Sequence, residues 1–182
     1  LVKEMPFGDG GQYPRPTGYG NLGRVLAIGS EVTMCQEGDR VLSFSRHASV
    51  VKADAGRMAL PVAEEVDGRE LVFARMAGVS MASLRSSGVQ PGDTVLVIGM
   101  GLVGNFAAQL FRLAGAEVMV ADLSDLRLAK AQACGIERTV NAQRVDLEQA
   151  VMDWTAGQGV HVAVEAIGIS EVIAQVAMLT RR

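Results

Sequence analysis

Apolar runs and helical patterns alternate along the chain from Thr94 onward. The first run, residues 95–98, is continuously apolar, as expected for a strand that is buried on both faces. Further strands are predicted at residues 117–121, 138–140 and 160–164, and helices at residues 102–114, 124–134, 145–155 and 171–179. Ser124 is expected to cap the second helix, and Gly115 and Gly135 to end the first two. This order predicts a right-handed parallel α/β sheet.

The first third of the chain has a different pattern, in which glycines and prolines separate short β-type runs. Strands are predicted at residues 23–29, 41–44 and 48–52, which is typical of a small β-barrel. The spacing then changes, and residues 70–83 predict a connecting helix. We therefore expect three segments, which are residues 1–65, a helical connection over residues 66–88, and residues 89–182.

Composition and charge exclude several classes of protein. Of the 182 residues, 49% are hydrophobic and 20% are charged, which is typical of a packed globular core. The net charge of −3 argues against a nucleic-acid partner, because phosphate binding needs clustered positive charge. Cys35 and Cys134 lie far apart, so a disulfide framework and an all-cysteine zinc site are both excluded.

Membrane and secretion signals do not stand out in the sequence. The longest uncharged apolar stretch, residues 94–104, is too short and too rich in glycine to span a bilayer. No basic and apolar leader opens the chain, so we expect a cytoplasmic protein without a membrane partner. The chain starts at Leu1 and stops at Arg182 directly after a helical pattern, and we interpret it as a fragment.

Residues 99–104 read Gly-Met-Gly-Leu-Val-Gly, a G-x-G-x-x-G sequence between a predicted buried strand and a predicted helix. That context is the one in which the motif binds a dinucleotide. The first glycine permits a tight turn, the second lets the backbone approach a pyrophosphate, and the third lets the helix pack closely on the strand. The free N–H groups at the start of the helix can hold the phosphates. The residues of this turn that are expected to bind the cofactor are Gly99, Gly101, Leu102, Val103 and Gly104.

Asp122 ends the second predicted strand, where a carboxylate can accept hydrogen bonds from both hydroxyls of the adenosine ribose. The same charge would repel a 2′-phosphate, so NAD is favoured over NADP as the cofactor. Asp122 could instead serve as a negative charge at the N-terminus of the following helix. Arg127 could reach the same ribose or a phosphate, or lie on a solvated helix face.

Residues 89–104, from Val89 to Gly104, resemble the start of the cofactor domain in the medium-chain dehydrogenase/reductase superfamily. That superfamily includes zinc alcohol dehydrogenases and zinc-free quinone reductases. Upstream, Gly18, Gly23, residues 25–29 and the Gly-Asp-Arg-Val of residues 38–41 are similar to its GroES-like catalytic domain. The resemblance implies an α/β fold, with an incomplete Rossmann-type parallel sheet preceded by part of a GroES-like β-barrel domain.

The segment Glu-Ala-Ile-Gly at residues 165–168 resembles the family segment that follows the fourth strand and lines the cofactor. Ala166 and Ile167 are therefore expected to bind the cofactor. Family members begin earlier and continue with two more parallel strands, so the resemblance implies that this chain is the middle of an enzyme. The sheet would then end at an unpaired fourth strand. The intact protein is expected to be a homo-oligomer, but the resemblance does not imply an oligomeric state for this chain.

The zinc positions of the family are filled here by other residue types. Zinc members carry Gly-His-Glu where this chain has Gly-Tyr-Gly at residues 18–20, so the histidine ligand would fall on Tyr19. The second cysteine ligand would fall near Ala74, and the four-cysteine structural loop is absent from residues 43–48. Neither tyrosine nor alanine is a good zinc ligand, so zinc is not expected.

Tyr19 becomes the catalytic candidate, because a phenol can donate a hydrogen bond to a developing alkoxide in place of a metal. The competing interpretation is a tyrosine that only fills the space left by zinc. His47 has no second histidine or cysteine at metal spacing and is expected to serve in a loop. His161 opens a predicted buried strand and is expected to be a hydrogen-bonded core histidine.

The leading interpretation is a fragment of an NAD(P)-dependent, alcohol dehydrogenase-like oxidoreductase. It would transfer hydride between NAD(H) and a small alcohol or carbonyl substrate, and this chain on its own is not expected to be active. The alternative is a non-catalytic, NAD-binding redox-sensing module. A third possibility is a gene remnant that does not fold alone, because incomplete domains are marginally stable.

Overall fold

The computed structural model describes residues 17–181, and the chain divides into two compact units between Arg75 and Met76. The first unit contains an antiparallel three-stranded sheet and the second a parallel four-stranded sheet. The predicted α/β class, with part of a GroES-like domain before a Rossmann-type sheet, is confirmed. The outer ends of the predicted segments 1–65 and 89–182 lie outside the described residues, and the three-segment division stays a prediction.

Short strands and short helices build the first unit. Its elements are β1 (Asn21–Arg24), β2 (Arg40–Ser43), α1 (Ala55–Met58), β3 (Ala59–Pro61) and α2 (Gly68–Leu71), and the sheet order is β1-β2-β3. The predicted strand at 41–44 is confirmed within one residue. The one predicted at 23–29 is displaced toward residues 21–24. The strand predicted at 48–52 is wrong, because residues 46–50 are exposed and have no face to bury.

Arg40 fastens the segment that follows β3. Its Nη1 atom donates to the carbonyl oxygens of Ala63, Glu64 and Val66 at 2.9, 3.1 and 2.6 Å. Arg24 adds a two-pronged ion pair to Glu64, with distances of 2.8 and 2.9 Å. These contacts give the arginine of the Gly-Asp-Arg-Val sequence a structural role inside the first unit.

The connecting region forms two helices instead of the single one predicted at residues 70–83. The Asp67 side chain accepts from the Arg69 N–H at 2.8 Å and so starts α2 earlier than expected. Phe73 then donates to the Glu70 carbonyl in a tighter i to i−3 turn, at 3.0 Å. The longer helix α3 (Ala74–Ser87) follows. The spacing of hydrophobic residues does not indicate the Asp67 cap, which begins a separate short helix before α3.

Strands and helices alternate in the second unit. The elements are β4 (Thr94–Ile98), α4 (Leu102–Leu113), β5 (Glu117–Asp122), α5 (Asp125–Ala133), β6 (Arg138–Asn141), α6 (Leu147–Trp154), β7 (Val162–Glu165) and α7 (Ser170–Met178). The strands are parallel in the order β6-β5-β4-β7. The predicted elements are confirmed within two residues at each end. Helix α6 begins later than predicted because Asp146 accepts from the N–H groups of Glu148 and Gln149.

Strand β4 is buried on both faces, as its apolar run predicts. Val95 and Val97 face one core cluster, which includes Phe111 of α4. Leu96 and Ile98 face the other cluster, which includes Val151 of α6. The sheet therefore has helices on both faces, and its central strands carry the core.

Strand β7 borders a short further pairing. The sequence predicts that this edge of the sheet is unpaired. In the structure Val160, just before β7, forms a parallel bridge with Thr180, so part of the edge is paired. His161 is exposed and is not a core histidine, because side chains of an extended segment alternate in direction and the buried side is taken by Val160, the residue before it. It is hydrogen-bonded as predicted, since its Nδ1 atom accepts from the Thr94 N–H at 3.0 Å. Across residues 17–181, no helix is long and apolar enough to cross a membrane.

Phe111→Ala tests the importance of the core on the α4 face. The Phe111 side chain is completely buried, so its removal should leave a cavity and lower the free energy of unfolding by about 3–5 kcal/mol. Leu113→Ala on the same helix is the control, because Leu113 is 75% exposed and its loss should cost less than about 0.5 kcal/mol. Urea denaturation measures both. Equal losses in the two variants would contradict this packing.

Candidate functional site

Two glycines allow the chain to turn sharply from β4 into α4. Gly99 has φ +92°, and a Cβ atom there would lie 2.7 Å from Ile167 Cγ1 and 3.2 Å from the Ala166 carbonyl oxygen. A Cβ atom on Gly104 would overlap the carbonyl oxygen of Gly99. The first turn of α4 therefore packs directly on the end of β4, as the glycine pattern predicts.

Gly101 is open where Gly99 and Gly104 are crowded. Its φ is −69°, and a Cβ atom at this position would meet no other atom within 4 Å. Gly101 precedes α4 and lines a cleft, and no side chain of the described residues caps the helix there. The first N–H groups of a helix have no acceptor within the helix, and no acidic residue stands in this first turn. The arrangement can accept an anion at the start of α4.

The cleft lies at the carboxyl ends of the parallel strands and has a volume of about 730 Å³. Ligands of open α/β sheets bind at this edge. Six of the residues predicted to bind the cofactor line the cleft, namely Gly99, Gly101, Asp122, Arg127, Ala166 and Ile167. The other three, Leu102, Val103 and Gly104, form the adjoining first turn of α4.

Asp122 is held in place by backbone donors at the end of β5. Its Oδ2 atom accepts from the Met100 N–H at 2.6 Å, and its Oδ1 atom accepts from the Ser124 N–H at 2.8 Å. The side chain is only 6% exposed, and Arg127 Nη1 lies 3.6 Å from Oδ2. The carboxylate therefore joins the glycine-rich turn to the end of β5. Ser124 precedes α5 as predicted, but its hydroxyl makes no capping hydrogen bond with the described residues.

Glu165 shapes the opposite wall of the cleft. Its Oε1 atom accepts from the N–H groups of Ile167 and Gly168 at 2.6 and 2.8 Å. These bonds hold the loop after β7 so that Ala166 and Ile167 line the cleft. The side chain of Glu165 thus orders the loop by accepting hydrogen bonds from the loop's backbone.

Sequence reasoning missed the wall that follows β6. Asn141 donates to Asp125 Oδ1 at 2.6 Å and accepts from the Gln143 N–H at 3.0 Å, which places Gln143 beside the cleft. The hydrogen bond from Asn141, together with the nearby Arg144 guanidinium, holds the pKa of the Asp125 carboxyl below its usual value. The available signal was position, because residues 141–143 follow a predicted parallel strand at its carboxyl end.

Tyr19, the predicted catalytic residue, lies in the first unit and is 53% exposed. The guanidinium of Arg75 lies over its ring, with Cζ 5.5 Å from the centroid. His47 packs against Gly18, where a Cβ atom would overlap the imidazole. Tyrosine and arginine therefore occupy the neighbourhood in which the family resemblance places a histidine ligand.

The described residues do not supply a zinc site. Between residues 17 and 181, no group of three or more histidine, cysteine, aspartate or glutamate side chains could hold a metal ion. Tyr19 and Ala74, at the expected ligand positions, offer neither an imidazole nor a thiolate.

Comparisons with known proteins relate the chain to a family of oxidoreductases. Residues 103–182 match the family described as zinc-binding dehydrogenase. A sorbitol dehydrogenase of Halalkalibacterium halodurans is 31% identical over 57% of this chain and 31% of that protein. An alcohol dehydrogenase of Moraxella sp. is 29% identical over 71% of this chain and 47% of that protein. The chain therefore spans less than half the length of these relatives.

Solved structures share the fold of the whole described region. The alcohol dehydrogenase TADH from Thermus sp. superposes with a TM-score of 0.80 at 19% identity, over 91% of this chain and 58% of that chain. An Escherichia coli quinone oxidoreductase complexed with NADPH gives 0.81 at 22% identity, over 93% and 55%. The chain has the fold of the medium-chain dehydrogenase/reductase superfamily. These relatives are enzymes and give no support to the non-catalytic alternative.

Gly104→Ala tests the close contact between α4 and β4. The new Cβ atom would overlap the Gly99 carbonyl oxygen, so the helix must move, and the free energy of unfolding should fall by about 2–3 kcal/mol. Gly78→Ala in α3 is the matched control, because a Cβ atom there would meet nothing within 4 Å. It should stabilise the protein by up to about 1 kcal/mol. A change of the same sign in both variants, measured by urea denaturation, would contradict this contact.

Proposed function

We propose that this chain forms the cofactor-binding part of an NAD-dependent oxidoreductase that acts on an alcohol or carbonyl group. The observation that carries the proposal is the cleft in which the open Gly101, the uncapped start of α4 and the fixed carboxylate of Asp122 meet. The relatives named as alcohol and sorbitol dehydrogenases support the reaction class. Because the chain spans less than half of them, the activity is proposed for the whole protein.

In this proposal the pyrophosphate binds at the N-terminus of α4. The N–H groups of Leu102, Val103 and Gly104 are the donors, and the helix dipole adds a positive potential. Gly101 matters because it has no Cβ atom, so the backbone can come within hydrogen-bond distance of a phosphate oxygen. Gly99 and Gly104 also act through the fold, since the absence of a Cβ atom at each lets the helix pack closely on the end of β4.

Asp122 selects the cofactor in this proposal. Each carboxylate oxygen already accepts one backbone N–H, and each has capacity left to accept from a ribose hydroxyl. A 2′-phosphate would meet the same negative charge, so NAD is preferred over NADP. Arg127 stands at the outer side of the carboxylate and binds the ribose or a phosphate oxygen. Ala166 and Ile167 cover the cofactor from the opposite wall.

The bound nicotinamide cofactor would supply the hydride chemistry, and the chain would orient it and exclude water. The residue proposed to polarise the substrate oxygen is Tyr19, whose phenol can donate a hydrogen bond to a developing alkoxide. No zinc is proposed, because the residues at the ligand positions do not suit the metal. The substrate is a small molecule with a hydroxyl or carbonyl group, and the intact enzyme is proposed to be a homo-oligomer.

Fluorescence titration with NADH and NADPH tests the choice of cofactor. The chain should bind NADH at least about tenfold more tightly than NADPH, which corresponds to about 1.4 kcal/mol of repulsion by Asp122. Asp122→Asn should reduce that preference, because it removes the negative charge. Since the amide of the variant would also face the backbone N–H donors, a thermal melt accompanies the titration. Equal affinities for both cofactors in the unchanged chain would contradict the proposal.

Gly101→Ala tests whether the open glycine serves a ligand. The new methyl group would point into free space, so the unfolding free energy should change by less than about 1 kcal/mol. It would, however, occupy the phosphate position and weaken NADH binding about tenfold or more. Gly78→Ala should leave NADH binding unchanged. Unaltered NADH binding in Gly101→Ala would show that the phosphates do not approach this glycine.

A further inference from the structure

Arg75, in the first turn of α3, is held against two aromatic rings of the first unit. Its Cζ atom lies 4.8 Å from the centroid of the Phe44 ring and 5.5 Å from that of Tyr19. Both distances are in the range of a cation–π interaction. The rings restrict the guanidinium and leave its N–H groups, which lie in the guanidinium plane, to find acceptors elsewhere.

The Nε atom of Arg75 is buried and has no hydrogen-bond partner among residues 17–181. The ion pairs that join side chains of the described residues do not include Arg75. A second buried polar atom without a partner in the same residues is Ser45 Oγ. Ser45 directly follows Phe44, and the residue is only 5% exposed. Both unpartnered polar atoms therefore belong to the first unit, and only Arg75 is shown in contact with the Phe44 ring.

Three other arginines of the first unit have hydrogen-bond or ion-pair partners, unlike the Nε atom of Arg75. Arg24 pairs with Glu64, Arg69 pairs with Asp67, and Arg40 donates to three carbonyl oxygens. A buried donor without an acceptor destabilises a protein, and more so when it belongs to a charged group. The Arg75 side chain as a whole is only partly buried, and the Nε atom is the part that is shielded from solvent. The position of Arg75 is therefore explained if an acceptor from outside the described residues binds there.

We propose that the first unit contains a binding site for a small carboxylate, and that Arg75 is the residue that binds it. A carboxylate is planar and carries one charge, which matches one guanidinium in charge and in the two-pronged geometry of its N–H groups. The Nε–H group donates to one carboxylate oxygen. The rings of Tyr19 and Phe44 hold the guanidinium in orientation, and Ser45 Oγ is a further donor available in the same unit.

The carboxylate can come from two sources. It belongs either to the substrate of the oxidoreductase, in which case the inference rests on the proposed function, or to a separate small acid that is not turned over. The binding chemistry is the same in both cases. Binding and turnover are therefore measured separately, so that failure of the proposed function does not decide the fate of the site.

NMR titration of the chain with acetate tests the site directly. The Nε–H resonance of Arg75 should move downfield and saturate, because the group passes from an unpartnered to a charge-assisted hydrogen bond. Acetamide, which has nearly the same shape and no charge, should move it much less. An Nε–H resonance that stays in place with acetate, or that moves equally with acetamide, overturns the proposal. This measurement uses the unchanged chain and does not depend on the folding of a variant.

Arg75→Lys tests whether binding needs the N–H groups of the guanidinium or only a positive charge. The variant keeps the positive charge and loses Nε–H, so its acetate affinity should fall about tenfold. Arg46→Lys is the matched control, because Arg46 is an exposed arginine of the same unit. It should bind acetate as the unchanged chain does. Equal losses in the two variants would mean a general charge effect and would overturn the proposal.

Turnover of the whole protein with NAD identifies the source of the carboxylate, because activity is not expected of this chain alone. If it is part of the substrate, 2-hydroxypropanoate should be oxidised at least about tenfold faster than propan-2-ol, and Arg75→Lys should abolish the difference. If both alcohols react equally while acetate binds at Arg75, the site holds a separate acid. If neither reacts, the proposed function loses support, while the acetate titration still decides whether the site exists.

Discussion

The close packing of α4 on β4 at Gly104 and Gly99 is the contact on which the cofactor cleft depends. The first turn of the helix comes so near the strand that a single Cβ atom at Gly104 would overlap the Gly99 carbonyl oxygen. This approach sets the helix start beside the carboxyl ends of the strands, where the cleft lies. A dipole at a helix terminus acts over short distances, so its position decides whether it can serve a phosphate.

Hydrogen bonds from backbone N–H groups to side chains hold the other walls of the cleft in place. Asp122 joins the end of β5 to the turn after β4 through the N–H groups of Ser124 and Met100. Glu165 holds the loop after β7 in the same way, and Asn141 holds the loop after β6. Each of these side chains fixes backbone at the carboxyl end of one strand. The walls of the cleft are therefore already formed, which reduces the entropic cost of binding a ligand.

The first unit has a different balance of charge and packing. Its short strands leave a small core, and arginines linked to carboxylates and carbonyl oxygens supply much of its order. Arg75 departs from that pattern, because its guanidinium is stacked on rings and its Nε–H has no acceptor among the residues described. Tyr19 lies beside this cation, so a hydroxyl and a guanidinium stand together where the family resemblance puts a metal ligand.

The alternation of apolar runs, helical spacing and glycines by itself determined the second unit. Strand β4 is apolar on both faces, and Gly115 and Gly135 have the positive φ values expected after helices. These are local constraints that any window of sequence contains, and they were enough to locate Asp122 and the glycine-rich turn. In the first unit the apolar runs are short and predict strands less well. Residues 48–52 are predicted as a strand, but residues 46–50 are exposed and 48–52 form none.

Only the tertiary structure decided which polar groups meet. Three contacts join residues that are far apart in the chain. They are the hydrogen bond between Asn141 and Asp125, the hydrogen bond between Thr94 and the surface residue His161, and the stacking of Arg75 on Phe44. A one-dimensional pattern records how often apolar residues recur, and so it predicts which face of an element is buried. It does not record the direction or partner of a hydrogen bond, because these depend on where the neighbouring elements pack.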